Sequence, residues 1–193
     1  MIAQTATRLR EQIAQFSGNL SQGLSKPTRR LIQEAIYGIQ ARQSVHLTEI
    51  ARSLEEKIPL IKTENRLSRN LARPQLRTTL QDALVQQGAK RIPLLTLDLS
   101  DLVKPYAKKM EYLSRVRDGS EGKIADGYWL CQVIGVENEG QEITPLYGEL
   151  YSSSAKDFVS ENREILRALR QVSEAVGQRG IWVIDRGGDR GKL

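Results

Sequence analysis

The sequence has a single cysteine and a single histidine, and these two scarcities argue against several kinds of chemistry. Cys131 alone cannot form an internal disulfide, which fits a protein from a reducing compartment. His46 alone argues against a histidine-based zinc site and against a Ser-His-Asp triad. We therefore expect any catalytic site to be built from other residue types.

Long apolar runs are also missing from this chain. No stretch approaches the roughly 18 consecutive apolar residues that a membrane-spanning helix needs. The N-terminus mixes polar and apolar residues and lacks the apolar core of a signal peptide. We therefore expect a cytoplasmic protein without membrane contact, and the 193 residues suffice for one or two domains.

The positive charge belongs to the first half of the chain. Residues 1–90 contain 14 Lys and Arg against 7 Asp and Glu, a net charge of +7, whereas residues 91–193 contain 15 against 16, a net charge of −1. A basic half is expected where a protein meets phosphates, although a solvated basic helical surface is an equally ordinary explanation. The periodicity changes from helical to strand-like at Arg91, which predicts a helical domain over 1–90 and a second domain over 91–193.

Residues 25–87 predict four short helices, and the third of them has a polar face of particular interest. We expect Thr63 to cap this helix and Pro74 to stop it. Its polar face can bond bases and phosphates, and consists of Lys62, Asn65, Arg66, Arg69, Asn70 and Arg73. Together with the preceding helix it forms a candidate helix-turn-helix for DNA binding. The connection between the two is long for that motif, and a small bundle with a hydrated basic face explains the pattern equally well.

The second half predicts strands and one helix in the order strand, strand, strand, helix, strand. The strands are expected at 92–98, 128–136, 142–150 and 181–185, and the helix at 155–176 with Ser154 as its cap. A crossover helix makes the last strand parallel to the first. This order is that of the RNase H-like fold of phosphoryl-transfer nucleases. The predicted fold class is therefore α/β, with a helical DNA-binding region before an incomplete RNase H-like mixed sheet (β-β-β-α-β).

The first and last predicted strands each end in an aspartate, Asp98 and Asp185. At the ends of neighbouring parallel strands the two carboxylates would face each other. Carboxylate oxygens suit Mg²⁺ or Mn²⁺, and two such ions would activate an attacking water or 3′-hydroxyl and stabilise the leaving oxygen. Aspartates that merely cap helices or form turns are the alternative, but this topological order favours the metal interpretation.

A long polar segment, 99–126, separates the first two predicted strands. It contains Tyr106 and Tyr112 among basic residues. Those basic residues include Lys104, Lys108, Lys109, Arg115 and Arg117. Long loops of this composition are usually functional or disordered, and beside a metal site we expect this one to hold a DNA backbone.

Four blocks of the sequence resemble insertion-sequence transposases of the DDE class. They are KPYAKKMEYLSRVRDGS (104–120), GYWL (127–130), PLYGELYSS (145–153) and WVIDRGGDR (182–190). The resemblance extends from about residue 27 to the end. It implies that Asp98 and Asp185 are the first two acidic residues of a catalytic triad that uses Mg²⁺ or Mn²⁺. It also implies a terminal-repeat-binding region in the helical half, double-stranded element ends and target DNA as partners, a homo-oligomer, and a nucleoid-associated location.

Members of that family supply a glutamate as the third metal ligand from a late helix. This sequence stops eight residues after Asp185, so we expect only the N-terminal portion of such an enzyme, inactive or weak by itself. A DNA-binding regulator that occupies element ends without catalysis is the alternative. A third possibility is an RNase H-like nuclease that does not transpose.

Overall fold

The computed structural model describes residues 2–88, 94–137, 142–177 and 179–184. Asp185 lies outside these residues. The chain divides into two compact units, 1–83 and 84–193, and each is considered separately below. Within the described ranges, no helix combines the length and the apolar character needed to cross a membrane.

In the described part of the chain, five helices precede the first strand, and the boundary between the two units falls within the fifth. They are α1 (Ile2–Leu20), α2 (Lys26–Arg42), α3 (Leu47–Ser53), α4 (Leu60–Leu71) and α5 (Pro74–Gly88). The four predicted helices correspond to α2–α5, and α1 is additional.

Helices α2, α3 and α4 pack around a shared apolar core. Its buried side chains are Leu31, Ile32, Ile50, Ala51, Leu67 and Leu76. Helices α2 and α3 approach each other closely at Gly38 and Ile50. A Cβ atom added to Gly38 would lie only 2.6 Å from Ile50 Cγ2. A glycine is therefore required where these two helices cross.

Helix α4 begins three residues before the predicted cap. Its N-cap residue is Pro59, and Thr63 is the fourth residue of the helix. Thr63 is buried, and its hydroxyl donates a hydrogen bond to Glu56 Oε2 at 2.7 Å, so it was wrongly predicted to start the helix. Six residues, 54–59, connect α3 to α4. This connection is longer than the three or four residues of a standard helix-turn-helix.

The second unit is a mixed five-stranded sheet with one helix on it, which confirms the α/β class. Its elements are β1 (Leu94–Val103), β2 (Ser114–Arg117), β3 (Ile124–Glu137), β4 (Glu142–Tyr151), α6 (Glu161–Val176) and β5 (Ile181–Ile184). Strand β3 pairs antiparallel with β1, β2 and β4. Strand β5 pairs with β1 in parallel, as predicted from the crossover helix.

The segment predicted as a long loop after Asp98 is partly sheet. Strand β1 continues for five residues past Asp98 and stays paired with β3 as far as the Val103–Gly127 pair. Strand β2 forms a hairpin with the beginning of β3. Asp98 therefore lies inside a strand rather than at its end. The polar second half of β1 is a strand because β3 is long enough to pair with it.

Strand β4 contains a bulge beside its proline. Val133 of β3 pairs with Tyr147, whereas Ile134 pairs with Pro145, so Leu146 is an extra residue. Leu146 and Tyr147 are both buried although they are consecutive. Among the described strands β4 pairs only with β3, which agrees with the edge position predicted from Pro145, a residue that cannot donate to a ladder.

Helix α6 starts at Glu161, six residues later than predicted. Its cap is Ser160, whose hydroxyl accepts a hydrogen bond from the Arg163 amide at 3.2 Å, so Ser154 was wrongly predicted as the cap. The preceding turn is fixed by stacking of Tyr151 on Phe158, with ring centroids 5.9 Å apart. One face of the sheet packs on α6 through a buried core. It includes Leu95, Leu97, Cys131, Val133, Ile165, Ala168, Val172 and Val176.

Candidate functional site

Asp98 lies on the face of the sheet opposite α6. Its neighbours Leu95, Leu97 and Leu99 belong to the core against α6, and side chains alternate between faces along a strand. The Asp98 side chain is half-buried on the other face. Sheet geometry therefore presents this carboxylate away from the helix-covered core.

Three polar side chains form a connected group on this face, which we call the Asp98 cluster: Asp98, Ser100 and Gln132. Asp98 Oδ2 accepts a hydrogen bond from Ser100 Oγ at 2.5 Å and another from Gln132 Nε2 at 3.4 Å. Gln132 is the direct partner of Asp98 across the β1–β3 ladder. Because both bonds go to Oδ2, Oδ1 is the oxygen we expect to meet a cation.

The pairing of β1 with β5 concerns Asp185, the second predicted metal ligand. Leu97, the residue before Asp98, pairs directly with Ile184, the residue before Asp185 in the sequence. Asp185 itself is outside the described residues. In the described part of the chain, no three His, Cys, Asp or Glu residues are grouped so as to hold a metal ion. The Asp98 cluster does offer a carboxylate, a hydroxyl and an amide, and such oxygen donors suit Mg²⁺.

The sheet face around the Asp98 cluster is largely apolar and partly open. Val183 is 44% exposed beside Thr96, Ile181 is 69% exposed beside Leu94, and Leu150 is 50% exposed. The Asp98 cluster is therefore surrounded by partly exposed apolar side chains.

Cys131 lies on the opposite face of the sheet, against α6, and its thiol is expected to be unreactive. The pKa of Cys131 is raised to about 12, chiefly by burial and to a smaller extent by the charges of Glu164, Glu149 and Asp98. The thiolate is the reactive form of cysteine, so the thiol stays protonated and is no nucleophile here. This agrees with its prediction as a buried apolar residue.

The predicted DNA-binding face of α4 is only partly exposed. Lys62, Asn65 and Arg69 are exposed, and Arg69 Nε donates to the Asn65 carbonyl at 3.2 Å. Asn70 is half-buried and donates to the Arg66 carbonyl at 2.9 Å. Arg73 is exposed but bonds Ser25 Oγ at 3.1 Å, which ties the end of α4 to the start of α2.

Arg66 occupies the centre of an ion-pair network instead of the exposed face. Its guanidinium lies 2.6 Å from Glu34 Oε2 and 3.0 Å from Glu56 Oε2. Hydrogen bonding to Glu34 is the largest cause of a raised Arg66 pKa, and Thr63 contributes most to a lowered Glu56 pKa. Arg30 bonds both glutamates from the solvent side. The network joins α2, the α3–α4 connection and α4.

The basic residues of the β1–β2 connection and of β2 differ in their surroundings. Lys108, Lys109 and Arg117 are exposed, whereas Lys104 is half-buried. Arg115 pairs with Asp126 at 2.8 Å across the β2–β3 ladder. These cations are mostly exposed, and phosphate binding by them stays a prediction.

Some residues of this site were not predicted from the sequence. Ser100 and Gln132 complete the Asp98 cluster, and a spacing of two along a strand would have indicated Ser100. Asp101 also has a structural role, because its Oδ1 accepts a hydrogen bond from the Gly119 amide at 3.0 Å. That bond ties the β2–β3 turn to β1.

No protein-family model matches this sequence, and no curated protein resembles it closely enough to count as a relative. The resemblance to DDE transposases therefore stays a prediction that rests on the quoted residues.

Proposed function

We propose that this chain is a DNA transposase by descent, with an RNase H-like second unit for phosphoryl transfer and a helical first unit that binds double-stranded DNA. The observation that carries the proposal is the parallel pairing of β1 with β5. Its Leu97–Ile184 pair directly precedes Asp98 and Asp185, as a two-aspartate metal site at this sheet requires. The proposal includes a cytoplasmic, nucleoid-associated location, and it requires a third acidic ligand beyond these two.

In this proposal Asp98 and Asp185 hold Mg²⁺ or Mn²⁺. Such ions, when bound, acidify the attacking water or 3′-hydroxyl and offset charge on the leaving oxygen. Ser100 and Gln132 donate to one oxygen of Asp98 and so fix the rotation of its carboxylate. Asp98 Oδ1 then points in one direction, which a metal ligand needs for a defined geometry.

The first unit serves the same function through α4. Lys62 and Arg69 are exposed cations on one helix face, with Asn65 between them. Arg can bond guanine or phosphate, Asn can bond adenine, and Lys binds phosphate as a point charge. We assign Arg66 to positioning α4 rather than to DNA, since both of its carboxylate partners are within the protein.

The catalytic half is tested with Asp98→Asn, which keeps the shape and removes the charge. We expect Mn²⁺ to stabilise the wild-type chain in a thermal melt and Asp98→Asn to lose this stabilisation, whereas nicking of DNA is expected to be weak or absent without the third acidic ligand. Asp101→Asn is the matched control, because Asp101 is on the same strand and bonds a backbone amide. Equal Mn²⁺ stabilisation of wild type and Asp98→Asn would refute the metal site.

The alternative function is a DNA-binding regulator without catalysis. The net charge of +7 in residues 1–90 supports DNA binding under either function, because this charge is independent of the Asp98 cluster. Duplex affinity measured over a salt series decides this point. We expect Lys62→Ala and Arg69→Ala each to weaken duplex binding and lower the salt slope by about one. Arg42→Ala, at the end of α2, is the control of equal charge. Duplex binding by a wild-type chain that Mn²⁺ does not stabilise would favour the regulator.

A further inference from the structure

Tyr106 is the most exposed of the large apolar and aromatic side chains in the part of the chain that the structure describes. Its side chain is 94% exposed, in the connection between β1 and β2. Aromatic side chains contribute a large apolar area when they are buried, and this one contributes none. An aromatic residue held in solvent therefore calls for an explanation by binding.

The backbone at Tyr106 is a tight turn fixed to the sheet. The Ala107 amide donates to the Lys104 carbonyl at 3.0 Å, and the Lys104 amide donates to the Asp126 carbonyl at 2.7 Å. Pro105 occupies the second position of this turn, where its fixed φ is favourable. Tyr106 follows it at the third position, so its backbone is held while its ring lies in solvent.

The far end of the same loop is also anchored. The Tyr128 hydroxyl donates to the Glu111 carbonyl at 2.6 Å, and Ser152 Oγ donates to the Tyr112 carbonyl at 2.5 Å. Tyr112 has a φ of +52°, a left-handed conformation that a bulky residue adopts only where its surroundings impose it. Residues 104–113 thus form a loop held at both ends, which we call the Tyr106 loop.

The charge around the Tyr106 loop is opposite to that of the rest of its half. Residues 104–117 contain five Lys and Arg against one Glu, a net charge of +4. The remainder of residues 91–193 has a net charge of −5, from 10 basic against 15 acidic residues. A positive site with an exposed aromatic ring is complementary to a nucleic acid strand whose bases are accessible.

We propose that the Tyr106 loop binds an unpaired segment of DNA, with Tyr106 stacked on a base and Lys108 and Lys109 on the neighbouring phosphates. Stacking needs the face of a base, which a duplex hides in its base stack, so the exposed ring favours a single strand. The choice of DNA rests on the proposed function. The loop begins six residues after Asp98, or about 20 Å along an extended strand.

The test compares binding of a labelled oligothymidylate and a labelled duplex of equal length to the full chain, at one salt concentration. We expect Tyr106→Ala to weaken oligothymidylate binding about tenfold or more and to leave duplex binding unchanged. Tyr106→Phe keeps the aromatic face and should bind as wild type does. Replacing Lys108 and Lys109 together by Ala should weaken single-strand binding and lower its salt slope by about 1.4, which is about 0.7 for each phosphate contact.

The results that would overturn the Tyr106 proposal differ from those that would overturn the proposed function. An unchanged oligothymidylate affinity in Tyr106→Ala overturns the stacking role, as does an equal loss for duplex and single strand. Absence of measurable single-strand binding by wild type overturns it as well. Failure of the Asp98 metal test leaves the Tyr106 result unaffected, because Asp98→Asn changes neither the loop nor its charge.

Discussion

Replacement of Arg66 by methionine should destabilise the helical unit, because it leaves two half-buried carboxylates with only the more exposed Arg30 as a shared cationic partner. The side chains of Glu34 and Glu56 are 14% and 19% exposed, and that of Arg66 is 23% exposed. An exposed ion pair contributes up to about 1 kcal/mol, whereas breaking a fully buried one costs about 3–5 kcal/mol. For this intermediate exposure we expect a loss of about 2 kcal/mol in the free energy of unfolding.

Urea unfolding followed by helical circular dichroism measures this loss. A double-mutant cycle with Glu34→Gln should give a coupling energy of about 1–2 kcal/mol, since the two residues share the network. Arg69→Met is the matched control on the same helix. Among the described residues its guanidinium bonds only its own helix, at the Asn65 carbonyl, so we expect a change within about 0.5 kcal/mol.

The contribution of the network should also depend on pH. The pKa of Glu56 is lowered in the folded protein, chiefly by the Thr63 hydroxyl and then by Arg66. A carboxyl group with a lowered pKa contributes stability that is complete above its unfolded pKa and is lost as pH falls through its folded pKa. The difference between wild type and Arg66→Met should therefore shrink in acid.

One result would refute this account of Arg66. If Arg66→Met unfolded like wild type but bound duplex DNA more weakly, with a smaller salt slope, the guanidinium would be a DNA contact. The sequence-based prediction would then be correct and the positioning role wrong.

Three further predictions concern packing, reactivity and capping. Gly38→Ala should lower the free energy of unfolding by about 1–3 kcal/mol, because the added methyl group overpacks against α3. Gly18→Ala is the control, because the space at its Cβ position is open. In the same urea titration we expect it to be neutral or stabilising by up to about 1 kcal/mol. Native Cys131, whose pKa is raised to about 12, should resist alkylation near neutral pH until urea unfolds the chain, and fast labelling of folded protein would contradict its burial. Ser160→Ala should lower the free energy of unfolding by about 1 kcal/mol, and Ser154→Ala should lower it much less. The reverse order would indicate that the helix begins after Ser154, as the sequence predicted.

Several features of the sheet could be predicted because they depend on local patterns. Apolar runs indicated β3, β4 and β5, and the helix between β4 and β5 predicted that β5 lies parallel to β1. Pro145 indicated an edge because a missing amide donor is a property of the residue itself. The second half of β1 was missed for the opposite reason. Ser100 and Asp101 look like loop residues, and only pairing with β3 makes them strand.

The predicted DNA-binding face of α4 was also only partly correct, because distant partners decide which of its side chains are exposed. Spacings of three and four correctly placed Lys62 and Arg69 on an exposed face of a helix. The same spacings placed Arg66 there, but its partner Glu34 is 32 residues away and on another helix. A periodicity argument contains no information about such distant partners, so it cannot separate a cation that meets solvent from one that meets a carboxylate.

The bulge at Leu146 also protects the molecule from its own copies. An edge strand with a regular row of unpaired amides and carbonyls is a template for strands of other molecules. In β4 the extra residue interrupts that row, and Pro145 removes one of its donors. Although Ile143 and Leu150 are exposed on this strand, the interrupted row disfavours addition of a second chain in continuous register. The irregularity that sends Leu146 and Tyr147 into the core thus also guards against aggregation.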